Sequence, residues 1–192
     1  MSRVQAIIQK EISECAHLVA TQRNSDSMRR FSILEAHTII SQLKLPADPL
    51  EEYGLSEETF QSILMGYEDD ADVIGSAQKA LRPPGNGDKS AADLISVNKV
   101  VEIHELMVQE FKAVIDEFHS LSDKKRESLG KKGRETAAEL LVSVAVEQKM
   151  QVRSEDVEQA VIAHEASLQY NTTFMKCSEE LAGLMNDLMS IA

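Results

Sequence analysis

Two histidines lie at positions where the helical periodicity of the sequence predicts apolar residues. His104 falls in the row Val97, Val101, Val108, Phe111, Ile115 and Phe118, and His164 falls in a later row that begins at Val157. Because imidazole binds metal ions and changes protonation near physiological pH, two histidines meeting between helices could form a metal site or a pH-sensitive pair. The alternative is two neutral core histidines, hydrogen-bonded to Asn171, Gln148 or the backbone. We predict this second arrangement and no bound metal, with His104 and His164 as the candidate ligands if a metal binds.

A group of carboxylates has part of the spacing of a calcium-binding loop. Glu68, Asp70 and Asp72 take its first, third and fifth positions. The sixth position should be Gly for the sharp turn and is Val73, and the twelfth should be a bidentate Glu and is Lys79. The sequence therefore excludes a calcium loop of this type.

Three further patterns also lack the groups that their chemistry requires. The segment 85–90, Gly-Asn-Gly-Asp-Lys-Ser, has no Gly directly before its Lys and no preceding strand, so it cannot cradle phosphate. The pairs Glu14/His17 and Asp116/His119 have the spacing found in di-iron bundles, but no further helix offers an inward carboxylate. No serine or cysteine stands in the context of a nucleophile. We predict no catalytic residue, no cofactor and no small-molecule substrate.

Charge is strongly segregated along the chain. The formal net charge is −12, which disfavours nucleic acid and membrane surfaces as partners. No Lys or Arg occurs between Lys44 and Lys79, a stretch that contains nine acidic residues. Helix capping and solvation account for many of these charges, and the functional alternative is a docking face for a basic partner. The candidate interaction residues are Glu57, Glu58, Asp69, Asp70 and Asp72.

One dense basic cluster complements this acidic stretch. Its members are Lys124, Lys125, Arg126, Lys131, Lys132 and Arg134. It contains no interleaved aromatic residues, so RNA binding is not favoured. We predict a solvated connector that pairs with the acidic stretch, within the chain or between subunits.

The two cysteines, Cys15 and Cys177, are too far apart in sequence to form a disulfide framework or a CxxC pair. We expect both to be small buried side chains in a reducing compartment. The N-terminus lacks the apolar run of a signal peptide, and no stretch has the length and apolar character of a membrane span. These observations predict a cytoplasmic protein.

Apolar residues recur throughout at steps of three and four, and nowhere alternate with the period of two that strands require. The predicted fold class is therefore all-α, a helical bundle with two long helices at about residues 90–120 and 155–190 and packing of the coiled-coil kind. Residues 1–45 should form a helical hairpin and residues 46–84 a small acidic helical subdomain. Residues 85–192 should form the long-helix bundle, packed as one globular unit with 1–45.

Two finer expectations concern burial. In the acidic subdomain, a short helix after Ser56 should bury Phe60, Ile63, Leu64 and Tyr67. In the last long helix, the Met-rich face that includes Met175 should pack in the core.

Ample helical surface, segregated charge and the lack of catalytic motifs favour a non-enzymatic protein–protein interaction protein, meaning an adaptor or a subunit of a larger assembly. Its partner would be another protein or further copies of the chain. A ligand- or metal-binding bundle that uses the core histidines, as a sensor or enzyme, is one alternative. An acidic chaperone-like binder of a basic client is another.

Overall fold

The computed structural model describes residues 11–20, 31–43, 54–55, 57–67 and 95–191. Residues 11–20 are helical (α1), and the other helices are α2 Ile33–Gln42, α3 Glu57–Met65, α4 Val97–Ser120, α5 Asp123–Met150, α6 Ser154–Ala163, α7 Glu165–Leu168 and α8 Thr172–Ser190. The described residues contain no strand, so the predicted all-α class is confirmed. None of the described helices has the length and apolar character needed to cross a membrane.

The chain divides into two compact units. Residues 1–11 and 44–86 form the smaller unit, which contains α3, and residues 12–43 and 87–192 form the larger. The three-part division into 1–45, 46–84 and 85–192 stays a prediction.

Helices α4 and α5 form the centre of the larger unit. Helix α5 packs against α2, α4, α6 and α8, and α4 also contacts α2, α6 and α8. Their fully buried side chains are Val100, Ile103, Val114, Phe118, Leu140 and Val146. The long helix predicted near residues 90–120 is therefore present, and its apolar rows face the core as the periodicity indicates.

Residues 155–190 form three helices rather than one long helix. Helix α6 ends before His164, whose backbone has φ −103° and ψ 10°. Helix α8 starts afresh after Asn171, whose side-chain oxygen accepts the N–H of Phe174 at 2.9 Å. Both residues fit the apolar periodicity, but an Asn that caps a helix satisfies otherwise unpaired N–H groups and so favours a new start.

Two glycines shape α5, which with 28 residues is the longest described helix: one breaks it and the other permits close packing. Gly130 has φ +60° and ψ 168°, a break in the helix that is strained for any residue with a Cβ. A Cβ at Gly133 would lie 2.7 Å from the imidazole of His37, so this glycine lets α2 approach α5 closely. At Gly133 the packing of the helix outweighs its low helix propensity, whereas at Gly130 the helix breaks.

Arg134 corrects the expectation of a solvated basic cluster. Its guanidinium is buried and lies over the ring of Phe118, 5.2 Å from the ring centroid. Its Nη1 donates to the carbonyl oxygens of Leu188, at 3.4 Å, and Ile191. A cation at the carbonyl end of a helix is favourable, so Arg134 holds the C-terminal end of α8 against the core. Lys124, Lys125, Lys131 and Lys132 are exposed as predicted.

Candidate functional site

His104 is half-buried on α4 and hydrogen-bonds to its own helix. Its Nδ1 lies 2.8 Å from the carbonyl oxygen of Val100, which can only accept, so Nδ1 carries the proton. The ring packs against Phe174 of α8, with centroids 4.7 Å apart. Burial lowers the pKa of His104, and the bond to the Val100 carbonyl opposes this shift. The imidazole therefore serves as a neutral packing group between α4 and α8.

His164 is also bound to the backbone. Its Nε2 donates to the carbonyl oxygen of Ile95 at 2.8 Å, which ties the junction of α6 and α7 to the start of α4. Asn171, one of the two polar side chains predicted as partners of the histidines, caps α8 instead. Within the described ranges no group of three or more His, Cys, Asp or Glu side chains is placed to hold a metal ion.

The five candidate interaction residues fall on or beside α3. Glu57 and Glu58 are its first two residues. Asp69, Asp70 and Asp72 lie outside the described residues, as do the side-chain positions of Glu57 and Glu58. The structure therefore describes the helix between these carboxylates rather than the carboxylates themselves.

The apolar side chains of α3 differ from the expectation of burial. Ile63 is 44% exposed and Tyr67 is 51% exposed, so the expectation that both are buried is wrong, and Phe60 is only half-buried. Met65 is 71% exposed. A small unit cannot cover every face of its helices, because its surface is large relative to its volume. The C-terminal end of α3 thus presents three exposed apolar side chains within five residues.

A second set of exposed apolar side chains lies in the larger unit, around α7. Ile162 is 55% exposed, Tyr170 is 80% exposed and Met175 is 54% exposed. The expectation that Met175 packs in the core is wrong, because the break at Asn171 changes the face that the first turn of α8 presents. The half-buried or buried side of α8 carries Phe174, Cys177, Leu181, Leu184 and Leu188.

Two acidic groups in the larger unit were not singled out from the sequence. Glu139 has a pKa raised to about 7, by burial first and then by the negative charges of Glu135 and Glu158. Glu147 is buried with one oxygen 3.1 Å from Nδ1 of His17, and its other oxygen has no hydrogen-bond partner among the described residues. The spacing of Glu135 and Glu139, one helical turn apart, is the signal that could have revealed the first group.

Both cysteines are buried and free, as expected from their isolation in the sequence. Burial raises the pKa of each thiol, and the carboxylates of Glu105 and Glu180 add to the shift at Cys177. Neither has the lowered pKa of a reactive cysteine.

Comparison with known proteins gave no match to a protein family, a curated protein or a solved structure.

Proposed function

We propose that this chain is a non-enzymatic, cytoplasmic interaction protein, an adaptor or a subunit of a larger assembly that works by binding another protein. The observation that carries the proposal is the exposure of Ile63, Met65 and Tyr67 at the end of α3. Of these, Ile63 and Tyr67 are one helical turn apart and share a face, and exposed apolar side chains on one face beside a charged segment are typical of protein-binding surfaces, because their burial by a partner is favourable.

The hydrogen bonding of the two histidines supports a role in binding rather than in catalysis. His104 and His164 each donate a ring N–H to a backbone carbonyl, and both residues hold helices together. A general base needs a ring nitrogen within reach of a substrate proton, and a metal site needs more ligands than these two provide.

Affinity purification from the cells of origin tests this proposal. A tagged full-length chain should retain a stoichiometric protein partner, and Ile63→Ser with Tyr67→Ser should lose it. The matched control is Ile162→Ser with Met175→Ser, which removes two apolar side chains of similar exposure from the larger unit. Mass measured in solution then separates a different partner from further copies of the chain.

Two results would contradict the proposal. One is purification of the chain as a monomer without any partner, for the natural sequence as well as for the variants. The other is stoichiometric metal or small ligand that is lost on His104→Ala. Retention of many unrelated basic proteins rather than one partner would instead indicate the chaperone-like alternative.

A further inference from the structure

We infer that the C-terminal end of α3 is a docking surface for a basic amphipathic helix of a partner protein. This inference rests on the proposed function and specifies the chemistry of the partner. Three features of α3 and its flanks lead to it.

The first feature is the apolar surface itself. Ile63, Met65 and Tyr67 have exposed fractions of 44%, 71% and 51%, and half-buried Phe60 lies one helical turn before Ile63. The N–H of Gly66 donates to the carbonyls of Ser62 at 3.3 Å and Ile63 at 3.0 Å, so the turn that carries Tyr67 continues directly from the helix. One face of α3 and the turn after it carries Phe60, Ile63 and Tyr67, and Met65 lies off this face. A row of apolar residues at helical spacing on the partner would bury that face.

The second feature is the charge of the surrounding sequence. Nine acidic residues and no Lys or Arg lie between Lys44 and Lys79, and Glu68, Asp69 and Asp70 follow Tyr67 directly. A neutral or acidic partner would bring its own charges into this negative field. A partner with Lys or Arg beside its apolar row would gain from it.

The third feature is the polarity of α3. The carbonyl end of a helix carries partial negative charge, and cationic side chains in the last turn normally offset it. The last turn of α3 contains no basic residue. The negative end of the helix therefore coincides with the exposed apolar side chains, and a cation from a partner would offset its charge.

A designed peptide tests this inference on the full-length chain. The probe is a fluorescent peptide of about 18 residues, with Leu at helical spacing on one face and Lys on the other. Two control peptides change one property each: Glu replaces Lys in the first, and Ser replaces Leu in the second. Binding is measured by fluorescence anisotropy at low and physiological salt.

The Lys/Leu peptide should bind, and both control peptides should bind at least about tenfold more weakly. Raising the salt to physiological strength should weaken binding of the Lys/Leu peptide, because exposed charges are screened over about 8 Å at that ionic strength.

Two sets of variants locate the site. Ile63→Ser with Tyr67→Ser should weaken binding about tenfold, and so should neutralising Glu57, Glu58, Asp69, Asp70 and Asp72 to their amides. Ile162→Ser with Met175→Ser is the apolar control, and Asp116→Asn, Glu127→Gln and Glu179→Gln neutralise three exposed acids of the larger unit. Neither control should change the affinity more than about twofold.

A measurement on the unmodified chain does not depend on the folding of any variant. A photo-crosslinker on the Lys/Leu peptide should attach within residues 57–67. Attachment confined to the larger unit would overturn the inference, as would equal binding of the Lys/Leu and Glu/Leu peptides. If the peptide fails to bind while Ile63→Ser with Tyr67→Ser still releases the native partner, the partner is not a basic helix but the proposed function stands.

Discussion

At the scale of single residues, the folded state disfavours the ionisation of Glu139. Its carboxyl is crowded by Glu135 on the same helix and Glu158 on α6, and its pKa is raised from 4.5 to about 7. The folded chain therefore holds this proton more tightly than the unfolded chain. The free energy of unfolding should fall as the pH rises from about 4.5 to about 7 and should then level off, as far as Glu139 determines it.

Glu139→Gln removes this charge and should raise the free energy of unfolding at pH 8 by about 1–3 kcal/mol. At pH 4 the carboxyl is largely protonated in both states, so the variant and the natural chain should differ little. Urea denaturation at the two pH values measures the difference. Glu179→Gln, at an exposed position of α8, is the control. An equal effect of Glu139→Gln at both pH values would contradict this account of Glu139.

His17 and Glu147 form the other notable pair at this scale, because they join α1 to α5. The side chain of Glu147 is only 5% exposed, whereas that of His17 is 41% exposed. Removing the imidazole deprives the buried carboxylate of its one hydrogen bond from α1, and an unsatisfied buried polar group is costly.

A double-mutant cycle with His17→Ala and Glu147→Gln should therefore give a coupling energy of about 1 kcal/mol or more. The coupling energy is calculated from the free energies of unfolding of the natural chain, the two single variants and the double variant. Strictly additive effects would show that the 3.1 Å contact contributes nothing to the attachment of α1.

At the scale of elements, the packing of α2 on α5 depends on two features. One is the hydrogen bonding at the N-terminus of α2, and the other is the short distance between the two helices. Ser32 and Glu35 form a capping box, and the carboxylate of Glu117 on α4 accepts the N–H of Ile33 at 2.8 Å. These bonds fix the start of α2. Gly133 then sets the separation of the helices, because only a residue without a Cβ leaves room for the ring of His37.

Gly133→Ala should lower the free energy of unfolding by about 1–3 kcal/mol, because the added methyl group forces His37 or α2 to move. Gly183→Ala is the matched control: it lies within α8, nothing stands within 4 Å of its new Cβ, and it should stabilise the chain by about 0.5–1 kcal/mol. Adding His37→Ala to Gly133→Ala should restore much of the loss. Stabilisation by Gly133→Ala alone would refute the close approach.

At the scale of the whole molecule, periodicity was sufficient to predict the all-α class and the position of α4. Apolar residues at helical spacing share one face only if the segment is a helix, so a long and regular row identifies a buried helix. Periodicity could not place the breaks at His164 and Asn171, because both residues fit the row and the breaks depend on hydrogen bonds to Ile95 and Phe174. Periodicity also did not predict α5 as one of the long helices, because Gly133 is accommodated only by its close packing against His37.

The exposed end of α3 shows a further limit of the sequence pattern. Spacing indicates which side chains share a face, but not whether another element covers that face. Ile63 and Tyr67 were expected to be covered and are exposed. The acidic residues around them could be read from the sequence, whereas the apolar part of the surface needed the structure.

The most direct test of the proposed role is photo-crosslinking of the full-length chain in the cells of origin. A photoreactive amino acid replaces Tyr67, which is 51% exposed in the turn that follows α3, or Met175, which is 54% exposed on the larger unit, as the control. Position 67 should yield an adduct with one protein, and mass spectrometry should place the link in a basic amphipathic segment. Position 175 should give no such adduct. An adduct at position 175 with none at position 67 would contradict the claim that this chain works through the end of α3.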